Sequence, residues 1–302
     1  MDGYVTVIGG TNMDIAAALT APFVPADSVP GQVSLGCGGV ARNIAHNLRL
    51  MGHEVRLVSV FGMETFGNMC WNECMAIGLD LTLSERREGM RTGMYLCIND
   101  QTGDMIAAVA DTDIIACITP EFLNERIDDI NNSALVIADT NISAEALQFL
   151  IDHCTVPFMV DAVSTAKATH VTEALLQSHT HRLNVLKLNR QEALAVTHCD
   201  TVRSAADNLT GMGVGQVYIT LGSKGVYCSD GTHHEHYNAI PTPVANTTGA
   251  GDAFIAGVAH AQLCGTMFPD CALMGLRAAH ATLLSPQTVN PNVGSYCRSE
   301  EK

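Results

Sequence analysis

Short apolar runs that end at polar residues set the pattern of this chain. YVTVIGG (Tyr4 to Gly10) is β-branched and closes on glycines, which predicts a buried strand. VRLVSVFG (Val55 to Gly62) predicts a second. Between them Ile44, Ala45, Leu48 and Met51 recur at helical spacing, so a helix is expected from Val40 to Met51 with Gly52 as its stop. Another is expected around Trp71 to Ile77, closed by Gly78. This β-α-β order calls for a parallel sheet.

The rhythm then changes. Pro22, Pro25, Pro30 and Gly31 punctuate a loop that leads into QVSLGCGG, a short exposed strand broken by Gly38 and Gly39. TGMYLCIND (Thr92 to Asp100), a QTGD turn and MIAAVAD (Met105 to Asp111) make two strands with no helix between them, hence a hairpin. Together with Gln32 to Leu35 they predict a small antiparallel sheet, drawn from about residues 15–37 and 91–113, placed as a lid over a site.

From Pro120 the alternation resumes, and four apolar runs end at Asp139, Asp161, Asn189 and Thr220. Ligands of open parallel sheets bind beyond the carboxyl ends of the strands, so these residues should share one crevice edge with Asn12 and Asp14, which follow the first strand. Ordinary turn chemistry accounts for any one of them alone; their recurrence is what points to a site. LGSKGVYCS after Thr220 predicts a glycine turn and a further strand, and the stretch from Gly251 through Leu284 is nearly all helix-compatible. The HHEH run at His233 to His236 is read as a solvated hairpin, because neighbours on a strand face opposite sides and cannot converge on a metal. GMGVGQV (Gly211 to Val217) precedes a strand where a dinucleotide fingerprint would follow one.

Composition narrows the function. With 302 residues, 47% of them hydrophobic, and neither repeat nor linker to divide them, a single domain over residues 1–302 is expected. A net charge of −15 and scattered basic residues argue against a grip on nucleic acid and leave a small molecule as partner. Eleven cysteines without paired spacings, and no signal-like stretch after Met1, are the usage of a reduced, cytoplasmic protein. No apolar run approaches the roughly 18 residues that a membrane span needs.

The candidate chemistry lies in NTTGAGDAF, Asn246 to Phe254. Gly249, Ala250 and Gly251 carry little side chain, so backbone N–H groups can point at the mouth of the following helix, where an anion is best held. Asp252 sits just inside that mouth, either as a plain helix-start acid or as a base beside a phosphate.

Two segments decide between these. GGVARNIAHNLRLMG (Gly38 to Gly52), with Gly62 beyond it, and NTTGAGDAFIAG (Asn246 to Gly257) resemble the paired signatures of the ribokinase-like (PfkB) carbohydrate and nucleoside kinases. LKLNRQEA matches that family's asparagine and glutamate at Asn189 and Glu192, and TLGSKG (Thr220 to Gly225) matches its nucleotide-side loop. The resemblance runs from Tyr4 to about Val293 and implies an α/β fold: a ribokinase-like, mostly parallel central sheet flanked by helices, with a small antiparallel lid. GTNMD, AVADTDI, ADTNIS and DAVSTAKA are most similar to substrate-side segments of the family's pseudouridine kinases. Two positions depart from the family pattern: Ala162 stands where proline is usual, and Asn246 where many relatives carry aspartate.

The resemblance implies transfer of the ATP γ-phosphoryl group, with Mg²⁺, to the 5′-hydroxyl of pseudouridine. Asp252 is then the general base, and the N–H groups of Gly249, Ala250 and Gly251 the anion hole. Asn12, Asp14, Gly38, Gly39 and Asn43 are expected at the ribose, and Asp111, Asn141 and Lys167 at the uracil ring. Asn189, Thr220, Gly222 and Lys224 fall on the nucleotide side, Glu192 at Mg²⁺ through water, and Asn246 at a monovalent cation, K⁺. Ribose, uridine or adenosine as acceptor stay open here, as does a non-catalytic ligand sensor, against which the intact GAGD counts. An exposed lid would pair with another copy, which predicts a homodimer.

Overall fold

In the computed structural model, which describes residues 3–298, fourteen strands form three sheets. They are β1 (Val5–Ile8), β2 (Asn12–Leu19), β3 (Gly31–Gly38), β4 (Val55–Val58), β5 (Val60–Gly62), β6 (Glu85–Arg87), β7 (Gly93–Asn99), β8 (Met105–Asp111), β9 (Leu135–Asp139), β10 (Phe158–Asp161), β11 (Leu183–Asn189), β12 (Val214–Thr220), β13 (Val226–Ser229) and β14 (His234–Tyr237). The main sheet has the order β4-β1-β9-β10-β11-β12-β13-β14. It is parallel from β4 to β12 and antiparallel over its last two joins.

Every residue of β1, β9 and β10 is buried, which is why these strands read as unbroken apolar runs and not as alternation. The helices are α1 (Val40–Leu50), α2 (Thr65–Ala76), α3 (Pro120–Asn124), α4 (Ile127–Asn131), α5 (Ala144–His153), α6 (Thr165–Gln177), α7 (Arg190–Thr197), α8 (Val202–Gly211), α9 (Ala250–Leu263), α10 (Cys271–Leu283) and α11 (Val293–Tyr296). Val7, Ile137, Met159, Val185 and Tyr218 pack in one apolar cluster with α1, α9 and α10, whereas Ile8, Val136, Val160 and Leu186 pack in another with α5, α6 and α8. Burial on both faces is what a parallel sheet requires. No helix among the described residues is long and apolar enough to cross a membrane.

The lid is a separate four-stranded sheet of order β3-β2-β7-β8. Its two hairpins, β2–β3 and β7–β8, are antiparallel as expected, and they join through a parallel β2–β7 pair. Three local expectations change. Asn12 and Asp14, expected between the first strand and a lid drawn from about residue 15, belong to lid strand β2; the alanine-rich run that follows is extended because β2 is paired on both sides. VRLVSVFG divides at Ser59, whose hydroxyl donates to the Gly9 carbonyl (2.7 Å) and whose N–H donates to Ser84 Oγ (3.0 Å), and β5 leaves the main sheet to pair with β6. The helical final third divides into α9 and α10.

One buried carboxylate fixes the crevice edge. Asp139, at the end of β9, accepts hydrogen bonds from the N–H groups of Gly10 (3.0 Å), Ala41 (2.8 Å) and Asn141 (2.9 Å). It ties the end of β1 to the first turn of α1, where a negative charge suits the helix dipole. Gly39 lets the two segments meet: its φ is 101°, and a Cβ there would lie 2.3 Å from the Gly10 carbonyl oxygen. Asp139→Ala strands two buried donors and one half-buried donor, so it is expected to lower stability by at least about 2 kcal/mol in urea unfolding; a loss within the error of the measurement would contradict this role.

Candidate active site

The GAGD turn opens α9. Gly249 caps the helix with φ 82°, and a Cβ there would lie 2.2 Å from the Thr288 carbonyl oxygen, so only glycine fits. The first N–H groups of the helix have no partner within it, the Ala250 N–H lying 3.4 Å from the Thr247 carbonyl oxygen, and such a helix mouth suits an anion. Beneath the turn lies a cation: a Cβ on Gly251 would come within 2.7 Å of Lys187 Nζ. Lys187 is buried on β11 and paired with Asp161 at the end of β10, at 3.0 and 3.3 Å to its two oxygens. Burial disfavours the ammonium, but Asp161, Glu192 and Asp252 outweigh it and raise its pKa, so it stays charged.

Asp252 is in the first turn of α9, with one small open face and protein on its other sides. It accepts a hydrogen bond from Asn43 Nδ2 on α1 at 2.9 Å, which joins the two signature segments. Burial first, then the neighbouring Asp161, push its pKa up to about 7, with Asn43 and Lys187 opposing. A base poised near neutrality thus stands beside an anion mouth backed by an ammonium.

Asp14 is on β2, in the lid. Burial raises its pKa to about 6, and Asn12 Nδ2 donates to its Oδ1. Gly38 makes room for it, since a Cβ there would fall on Asp14 Oδ2. Asp14 lines a cleft of about 700 Å³ whose walls include Ser34, Tyr95 and Cys97 from the lid, Arg42 from α1, and Asn246 and Gln287 opposite.

The remaining candidates are spread along the edge. Lys167 Nζ donates to Asn141 Oδ1 at 2.6 Å, and Asn141 abuts Gly10. Asp111 lies on the outer lid strand, paired with Arg91 at 2.9 Å and outside that cleft lining. Asn189 and Glu192 form a capping box at the head of α7: Asn189 N–H donates to Glu192 Oε2 (2.7 Å) and Glu192 N–H to Asn189 Oδ1 (3.0 Å). Thr220 ends β12, Gly222 has φ 61°, and Lys224 is exposed. Asn246 holds its own loop, accepting from the Thr248 N–H (3.0 Å) and donating to the Pro286 carbonyl (3.3 Å), so this position offers no charge to a monovalent cation. Lys187 was concealed by its apolar neighbours in VLKLN; the signal was a charge inside an otherwise buried strand. Arg42 and Glu73, an ion pair at 2.6 Å in the cleft wall, were also missed.

Residues 2–293 match the model of the pfkB family carbohydrate kinases. The chain is 33% identical to a pseudouridine kinase of Escherichia coli over 96% of its own length and 93% of the relative's. It is 31% identical to an uncharacterized sugar kinase of the same bacterium over 97% and 81%. A carbohydrate kinase from Agrobacterium tumefaciens superposes with a TM-score of 0.83 at 26% identity, covering 98% of this chain and 97% of that one. Arabidopsis thaliana ribokinase, solved with ribose and ATP, shares the fold at a TM-score of 0.83 and 19% identity over 99% and 100%. The chain belongs to the pfkB family of carbohydrate kinases.

Proposed function

We propose that this kinase transfers the γ-phosphoryl group of ATP to the 5′-hydroxyl of pseudouridine. The observation that carries the chemistry is Asp252, hydrogen-bonded to Asn43 and set beside the Lys187-backed helix mouth. Support for the acceptor comes from the 33% identity to a pseudouridine kinase along nearly the whole chain.

Asp14, oriented by Asn12, accepts hydrogen bonds from the ribose diol. Gly38 and Gly39 let the sugar approach the backbone, and Asn43 turns toward the reacting end. Asp252 takes the proton of the 5′-hydroxyl as its oxygen forms the new bond to phosphorus and the bond to the ADP oxygen breaks. The N–H groups of Gly249, Ala250 and Gly251, with the Lys187 ammonium, hold the charge on the group in transit. Thr220, Gly222, Lys224 and Asn189 line the nucleotide side, and Asn141, Lys167 and Asp111 are assigned to the base. Mg²⁺ carried with ATP neutralises phosphate charge; Glu192, a buried carboxylate with lone pairs left beyond its capping box, is the residue that would hold it through water. Closure of the lid excludes water. The 31% identity to a sugar kinase favours, as a second reading, another sugar or nucleoside as acceptor.

Assay with Mg²⁺–ATP against pseudouridine, uridine, adenosine and ribose should give the highest kcat/KM for pseudouridine; equal or better turnover of uridine would sink that acceptor. A base with its pKa near 7 works as the carboxylate, so kcat should fall about tenfold per pH unit below that value.

Asp252→Asn should lower kcat at least about 100-fold. The same variant has a second readout. A carboxyl that titrates near ~3.9 in the unfolded chain and about 7 in the fold destabilises the fold as pH rises between those values. Asp252→Asn should therefore raise Tm at about pH 8 and leave it little changed at about pH 4. Near-normal turnover, or no gain in Tm at the higher pH, would remove Asp252 from this role.

Pairing through the lid is the proposed assembly. Ile15, Leu35, Leu96 and Val109 stand in one cross-strand row, and Leu35, Leu96 and Val109 are 52%, 38% and 63% exposed. Light scattering should give a dimer for the wild type and a monomer for Leu35→Lys/Val109→Lys; a wild-type monomer at micromolar concentration would refute it.

A further inference from the structure

Arg42 has no place in the chemistry so far, yet it is built into the site. It is 4% exposed, in the first signature segment, one residue before Asn43. Adjacent residues on a helix do not face each other, so its guanidinium has to fold back to meet the Asn43 side chain. Glu73 on α2 holds it in that position, with 2.6 Å between Arg42 Nη2 and Glu73 Oε1. Arg42 Nη1 then lies 3.4 Å from Asn43 Oδ1, and Asn43 Nδ2 donates to Asp252 Oδ2 at 2.9 Å. Cys37, at the end of β3, lines the same cleft as Arg42 and Glu73.

We propose that Arg42, held by Glu73, is a positioning residue that fixes which end of the Asn43 carboxamide faces Asp252. A carboxamide has a donor end and an acceptor end of nearly the same shape. With its oxygen toward the guanidinium, its NH₂ is left for the carboxylate, and both contacts are favourable. Turned over, it sets NH₂ against a cation and C=O against an anion, and both contacts are repulsive. Asn43 is 5% exposed, so no water is at hand to relieve the wrong orientation. A guanidinium can hold Glu73 and Asn43 at once through its fork; a lysine ammonium is a point charge with a shorter reach and no fork, and is not equivalent.

The inference rests on Asp252 being the base, and its consequence is a lowered proton affinity at that carboxylate. Asp161 and Asp139 act on Asp252 to raise its pKa, while Lys187 and Asn43 lower it. Of these groups only Asn43 is changed by replacing Arg42.

The test is the pH profile of kcat for Arg42→Lys, Glu73→Gln and Asp252→Asn with Mg²⁺–ATP and pseudouridine, each variant checked for folding by its thermal melt. Losing a hydrogen bond to a charged group should move the acid limb of Arg42→Lys upward by about one pH unit, so that kcat is down about fivefold at neutral pH, about tenfold at more acid pH, and recovers toward wild type at alkaline pH. Glu73→Gln should move it in the same direction by less, and it carries the test if Arg42→Lys does not fold. A kcat lowered equally at every pH with the limb unmoved, or an unchanged profile in both variants, overturns the proposal. If Asp252→Asn keeps its turnover, the base assignment falls instead; if Asp252→Asn is inactive while both other limbs stay in place, only the positioning role falls.

Discussion

The hydrogen bond from Asn43 to Asp252 holds together what this fold has to bring together. Its donor is on α1, the helix that starts against Gly10 and Asp139 at the end of the first strand; its acceptor is on α9, more than half the chain later. Both helices pack on the same face of the main sheet. The two signature segments therefore meet at one contact between two helix starts, each opened by glycine with a positive φ. Loss of either glycine's conformation would pull the two half-sites apart.

Around that contact the charges are arranged as an alternating set. Asp139 is spent on three backbone N–H groups and Asp161 on Lys187 and the Val163 N–H, so two of the strand-end carboxylates serve as scaffold. Lys187 is the cation that this scaffold aims at the GAGD turn. Asp252 accepts one hydrogen bond, from Asn43, and burial first, then Asp161, raises its proton affinity while it keeps an open face. A buried lysine with a carboxylate partner costs desolvation, and its retention beneath an anion mouth is understandable if the charge is used there.

Much of this was legible in the sequence. Unbroken apolar runs identified the buried parallel strands, turn residues marked the lid hairpin, and the two glycine segments located the paired helix starts. What escaped were contacts between residues far apart in the chain. The strand at Asn12 to Leu19 is made by its neighbours on both sides, and its alanines carry no local sign of it. The break at Ser59 comes from hydrogen bonds to Gly9 and Ser84. Arg42 and Lys187 each looked like an isolated charge among apolar residues, because Glu73 and Asp161, which make sense of them, come from other elements. Asp139 was placed at the crevice edge, but only the fold shows that its oxygens point back into the protein.

The account comes down to one carboxyl group held near neutrality between α1 and α9. Carbon-13 NMR titration of the aspartate carboxyls, with Asp252→Asn used to assign the signal, measures it without substrate. A resonance that titrates near 7 and disappears in the variant is the result expected. An Asp252 signal that titrates in the ordinary carboxylate range, near ~3.9, would contradict it.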